Sequence, residues 1–317
     1  MRTMHLVVLA ATFTMLVACF SDRGLVTDDS GLRANTWSIV AVDSESGEVG
    51  VALASCLAAD LSISRSSTGA GGGSSTHAYS MFWTVGGELS FELARINPAV
   101  GAMIAQARVD AGNVARLDSA FAELLKGATS AEAVGAAIEG DSMSQSRQYA
   151  IAVFDREAAT FTGSETSEWS GGASRQAVAI QGNILVGAQV VEEAMAAFQA
   201  AIAVSGAGLA DGLLAGMEAG AAEGGDKRCP REQTALVAFM AVAHRDDTGE
   251  TPQLWLATEP QAIGGDNPVA LLRQAYDRPR SAAAVGDDQG SVAALGALAL
   301  TLLLVIGAGI WTIRRRL

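Results

Sequence analysis

The sequence predicts an α+β fold, and three features carry that expectation. Residues 35–55, NTWSIVAVDSESGEVGVALAS, alternate apolar with smaller or polar side chains on both sides of an acidic, Gly-containing turn, the pattern of a β-hairpin. A second pair of strand-like runs covers 148–154 and 159–163. Two pairs of helical segments, 113–125 with 130–138 and 189–203 with 209–222, place apolar residues at helical spacing. Strand runs interrupted by paired helices suit a four-layer αββα sandwich, and periodicity alone also allows other α+β folds.

Taken in order, residues 1–19 read as an export signal: Arg2 is followed by an apolar run, and Leu16-Val17-Ala18-Cys19 matches a lipobox. Two readings stand, lipidation of Cys19 or an ordinary signal peptide with an incidental cysteine. Residues 20–34 are polar without apolar period and read as a tether or a propeptide. One domain is expected over 35–277, since ~240 residues suit a single core. Within it, residues 62–90 read as a Gly/Ser-rich insertion, and Gly71-Gly72-Gly73 lacks the Lys-Ser/Thr of a phosphate-binding loop.

Residues 100–107 read as a strand carrying Gln106. Thr129 or Ser130 is the expected cap of the second helix, with Glu132 beside it. Residues 176–180 form a strand running into QGNILVG, 234–243 and 254–257 two more, and 267–276 a helix with Pro268 in its first turn. Residues 278–291 are a polar linker. An apolar run over 292–313 is long enough for a ~30 Å hydrocarbon core, and Arg314-Arg315-Arg316 behind it place the tail, 314–317, in the cytoplasm. Both ends thus predict a domain outside the cytoplasm at the cell envelope, with a membrane as partner. The same C-terminal arrangement resembles sorting signals that are removed after export.

The net charge of -13, with Lys and Arg clustered only at the C-terminal tip, argues against a nucleic-acid partner. Cys56 and Cys229 remain after Cys19, either as a disulfide in an oxidising compartment or as two buried small hydrophobes. No Cys, His and carboxylate spacing suits a metal site, no dinucleotide fingerprint follows a strand, and no cofactor is expected. A serine esterase would need an elbow motif G-x-S-x-G, which is missing from the sequence.

Several stretches look familiar together: the hairpin TWSIVAVDSESGEVGVALAS, NPAVGAMIAQA, QYAIAVFD with ATFTGSE, AIQGNILVG, and GGDKR with EQTAL. In that order, over residues 36–276, they resemble the bacterial family called domain of unknown function 1028, which is placed in the N-terminal-nucleophile (Ntn) hydrolase superfamily. QGNILVG and GGDKR are the more specific pieces. The resemblance implies an Ntn-hydrolase-like αββα sandwich and leaves the substrate, a small amide or a peptide, unspecified.

Thr36 is the sharpest candidate for chemistry, because it opens a strand directly behind a segment that looks disposable. Freed there, it would carry a hydroxyl nucleophile and its own α-amine as base; held in the chain, it is an ordinary β-branched strand residue. Asp226 and Lys227 come next, a carboxylate to orient an amine and a cation to favour its neutral form, or else a solvated ion pair on a loop. Here the sequence departs from the family pattern: Cys229-Pro230 stand where a glycine is usual, and Gln233 comes late. Asn183 could donate to an oxyanion, and Gln181 and Gly182 beside it, with Gln106 and Gln233, could bind substrate; turn and strand-edge roles are the alternatives. Two functions follow, an amide hydrolase working through Thr36 and a non-catalytic surface module of the same fold.

Overall fold

The computed structural model describes residues 32–34, 36–67 and 77–278. The expected signal, lipidation at Cys19, transmembrane helix and tail lie outside them, as does nearly all of the linker. No helix among the described residues is long and apolar enough to cross a membrane.

Those residues form an α+β structure of two antiparallel sheets and five helices. The first sheet has the order β4 (Asp60–Ser67), β5 (His77–Val85), β6 (Leu89–Asn97), β7 (Gly101–Val109), β8 (Arg147–Val153), β9 (Ala159–Thr162), and a short β1 (Leu32–Ala34) also pairs with β7. The second has the order β10 (Ser170–Arg175), β11 (Val178–Asn183), β2 (Thr36–Asp43), β3 (Glu48–Ser55), β12 (Val237–His244), β13 (Leu254–Ala257). The expected first hairpin is therefore the centre of its sheet. Its strands pair from Thr36 with Ser55 to Asp43 with Glu48, and the turn is closed by Gly47, whose φ of +77° suits glycine.

Period-2 alternation decides which side chain goes where. Val40, Val42, Val49, Val51 and Leu53 point toward the first sheet and share a core with its Ala102, Ile104, Ala150 and Ala152. Their neighbours Trp37, Ile39, Ala41, Ala52 and Ala54 join a second core with α3 (Gln189–Ile202), α4 (Leu209–Ala222) and α5 (Pro268–Asp277). A third core sets Met103, Tyr149 and Ile151 of the first sheet against α1 (Asn113–Leu125) and α2 (Ser130–Ile138). In α1, Leu117, Phe121 and Leu124 fall on one stripe at helical spacing; each such side chain fully buried contributes about 1.5–3 kcal/mol before entropy is subtracted. Thr129 caps α2 reciprocally with Glu132.

Helix α4 lies close on the second sheet because its facing residues are small. A Cβ at Gly216 would stand 2.6 Å from Ile39 Cδ1.

Two segments are more regular than their composition suggests. Residues 62–90, read as an insertion, hold the end of β4, all of β5 and the start of β6; the Gly/Ser run at 68–76 is outside the described residues. Leu61 and Ile63 alternate with serines on a half-exposed edge strand, and the serines masked the pattern. The last residues of the expected tether, 32–34, are strand β1.

Candidate active site

The alternation that builds the inter-sheet core also builds its polar end. Two residues before Val40 and four before it on β2 come Ser38 and Thr36; on β11 the same face carries Gln181, opposite Ser38, and then Asn183. On β7 the inward position after Ile104 is Gln106, and on β8 the one before Ala150 is Gln148. Ser55 closes the group as the cross-strand partner of Thr36. All seven are 0% exposed.

A chain of amides joins the sheets through them. Ser38 Oγ donates to Gln106 Oε1 at 2.6 Å, and Gln106 Nε2 donates to the Thr36 carbonyl at 3.1 Å and to Gln148 Oε1 at 3.0 Å. Asn183 Nδ2 donates to the same Gln148 oxygen at 2.8 Å, while Gln148 Nε2 reaches the Gly182 carbonyl at 2.9 Å. Gly182 leaves room for Leu185, whose Cδ1 would stand 2.3 Å from a Cβ there and would have to shift. Buried polar groups are normally satisfied. Yet Thr36 Oγ1, Asn183 Oδ1 and both amide atoms of Gln181 find no partner among the described residues.

The surrounding backbone is strained. Ala107, directly after Gln106, has φ +69°, Ile184, directly after Asn183, has φ +51°, and the β-branched Thr234 has φ +63°. Such conformations cost about 1–3 kcal/mol each and gather at functional sites.

Beside Gln148, buried Arg147 fixes the start of β8. It donates to the Arg108 carbonyl, to Asp110 Oδ2 and to Asp141 Oδ2, each at 2.6 Å. Burial works to raise both carboxyls, but hydrogen bonds from Arg116 and Arg147 to Asp110, and from Arg147 and the Met143 backbone to Asp141, hold them below the ordinary carboxylate value. Burial pushes the Tyr149 phenol up to about 12.

Asp226 is fully buried, and its carboxylate accepts from the Cys56 N–H at 3.0 Å and from the Arg228 backbone and guanidinium. Cys56 follows Ser55, so this carboxylate holds the residue just past the end of β3, next to the partner of Thr36. Cys56 and Cys229 are joined as a disulfide, which ties that strand end to the loop bearing Asp226. Gly225 lets the same loop pass over Trp37: its φ is +53°, and a Cβ would stand 2.6 Å from the indole.

Two sequence candidates lie elsewhere. Lys227 pairs with Glu168, both about half exposed, so its ammonium is directed to the surface. Gln233 staples the 262–264 loop, donating to the Ala262 carbonyl at 2.7 Å and accepting from the Gly264 N–H at 3.0 Å. Ser38, Ser55, Gln148 and Arg228 were not singled out from the sequence. Gln148 was legible in principle, because it is in phase with Ala150 and Ala152 on a strand that was expected. No group of three His, Cys, Asp or Glu among the described residues is arranged to hold a metal ion. A cavity of about 420 Å³ lies among α4, α5 and the 231–234 loop, and Thr36 does not line it.

Residues 65–263 match the family of unknown function DUF1028, a span that holds Gln106, Gln148, Gln181, Asn183 and Asp226. The chain belongs to the DUF1028 family. The DUF1028 match starts inside β4, so Thr36, Ser38 and Ser55 precede it. The fold is similar to that of a DUF1028 protein, SPO2555 from Silicibacter pomeroyi, whose crystal structure aligns with a TM-score of 0.53 at 24% identity over 77% of this chain and 88% of that one. No curated protein matches at a significant level.

Proposed function

We propose that this DUF1028 domain is an amide hydrolase of the Ntn type, a four-layer αββα sandwich in which Thr36 is the nucleophile. One observation carries the reading: at the head of a central strand, between the sheets, the Thr36 hydroxyl is buried without a partner among the described residues, in the same layer as the Gln181 amide and Asn183 Oδ1, which also have none there.

Hydrolysis of the Asn35–Thr36 peptide would consume one water and leave a carboxyl on Asn35 and an amine on Thr36. That amine then takes the hydroxyl proton as Oγ1 attacks a substrate amide carbon. The C–N bond breaks, the leaving nitrogen receives the proton, and an ester remains on Thr36. Water hydrolyses the ester, giving a carboxylic acid and restoring the hydroxyl. Gln181 Nε2, with neither N–H engaged by a described residue, suits the oxyanion better than Asn183, whose nitrogen already donates to Gln148. Asp226 positions the end of β3, through Cys56, for the amine. Lys227 has no part in this scheme.

The proposal places the domain at the cell envelope, exported by residues 1–19 and anchored through 292–313. The Cys56–Cys229 bridge suits an oxidising compartment. Cutting before Thr36 would separate the domain from any lipid on Cys19, leaving the C-terminal segment as its anchor.

N-terminal sequencing of purified protein tests the scheme: a mature chain beginning at Thr36, lost in Thr36→Ala and kept in part in Thr36→Ser, is expected. A working protein whose 35–36 bond stays closed would remove it. One observation favours the alternative, a non-catalytic module: in the uncut chain Thr36 is sealed from solvent.

A further inference from the structure

Ala107 is paired on both of its flanks, with Arg147 of β8 on one and Ala34 of β1 on the other. Strand β1 therefore lies on the flank that faces β6, where the pairing of β6 with β7 has already ended at Ala94 and Ile104. Strand β1 is the backbone partner of Arg108 and Val109, in the antiparallel register Leu32 with Val109 and Arg33 with Arg108. One residue back along β7, Gln106 holds the Thr36 carbonyl, and Ala34 is two residues from Thr36. The main chain that leads into the candidate site thus runs along the edge of β7.

We propose that the edge of β7 at residues 107–109 is a peptide-binding edge, and that β1 is its resident occupant. The ligand is an extended peptide, recognised by main-chain pairing and presenting the carbonyl of its fourth residue to Thr36; a small amide lacks the backbone to use this edge. The proposal deepens the hydrolase reading and rests on Thr36 being the reacting group. A three-residue strand has few hydrogen bonds to hold it, so its own sequence in free form, or another extended peptide, can replace it once it is displaced.

The probe is fluorescein-labelled Leu-Arg-Ala-Asn amide, with fluorescence anisotropy as the readout. In the full chain β1 is tethered and competes at an effective concentration in the millimolar range, so wild-type protein binds weakly. Ala34→Pro, which removes a backbone donor from β1, is expected to bind the probe about tenfold tighter or better, with faster hydrogen exchange at whichever of Arg108 and Val109 directs its N–H at β1 and unchanged exchange in β8. N-methylating alternate backbone amides of the probe should abolish binding in one phase and spare it in the other, as an antiparallel ladder requires.

Arg33→Pro serves as a second variant should Ala34→Pro fail to fold. Released β1 with no gain in binding overturns the proposal, and so does indifference to N-methylation. Both prolines leaving Arg108 and Val109 protected would show that pairing does not hold β1, and would overturn it as well. Binding needs no free amine: probe bound by a chain never cut before Thr36 keeps the edge and removes the hydrolase, whereas cutting without binding removes the edge alone.

Discussion

Gln106 and Gln148 are register partners on neighbouring strands, and the amide nitrogen of the first donates to the amide oxygen of the second at 3.0 Å. Gln148 also takes the Asn183 amide and gives to the Gly182 carbonyl, so one side chain of the first sheet satisfies three groups around the site. Gln148→Leu has nearly the same volume and none of these bonds. It should cost about 2–4 kcal/mol, because buried partners left unpaired bear their desolvation penalty, and urea unfolding would measure it.

Thr36→Val makes the opposite prediction. Replacing a buried hydroxyl that has no partner among the described residues by a methyl group should leave stability unchanged or raise it by up to about 1 kcal/mol, while ending any cleavage before residue 36. Thermal unfolding is the check, and a large loss would mean that the hydroxyl is bonded after all.

Acid should act through Arg147. Asp110 and Asp141 are held below their ordinary value of 3.8 in the native state, so as pH falls through and below that value the unfolded chain binds more protons than the folded one. Their stabilisation is complete well above pH 4 and is lost as pH falls through the lowered native values. In Arg147→Met one of the two guanidiniums on Asp110 and the main donor to Asp141 are gone, so Arg116 and the Met143 N–H alone oppose burial and the lowering of both carboxyls shrinks. Urea midpoints at pH 7 and pH 3 should therefore fall less in the variant than in wild type.

The Cys56–Cys229 bridge closes a sequence separation of 173 residues. Its removal in a Cys56→Ala, Cys229→Ala chain should cost about 2–5 kcal/mol, mostly through the freedom returned to the unfolded state. Because Asp226 accepts from the Cys56 N–H, hydrogen exchange at Cys56 should also accelerate more than at Val51 in the middle of β3.

What could be read from the chain followed from periodicity. The two helix pairs and the central hairpin stand where their apolar spacing put them, since each buries one continuous face. Strands β4, β5, β6 and β10 were not legible; β4 is serine-rich at an exposed edge, and β10 is built from small, half-exposed residues. At the site, Thr36, Gln106, Gln181 and Asn183 were named, and the structure places all four in one buried layer. Their link through Gln148 was not, because it depends on the facing of two sheets that are distant in sequence. Lys227 and Gln233 were drawn in by sequence proximity to Asp226, but a loop sends adjacent side chains in different directions.

The sheet order β10-β11-β2-β3-β12-β13 sets a timetable for synthesis. The first hairpin emerges early, yet both of its neighbours are encoded more than a hundred residues later, and β12 does not end until His244. Neither apolar strand has a flanking partner until β11 is made, and β3 lacks one until β12 is, a state prone to pairing with the wrong chain. Truncations that end before β12 should accumulate as aggregates rather than as smaller folded units.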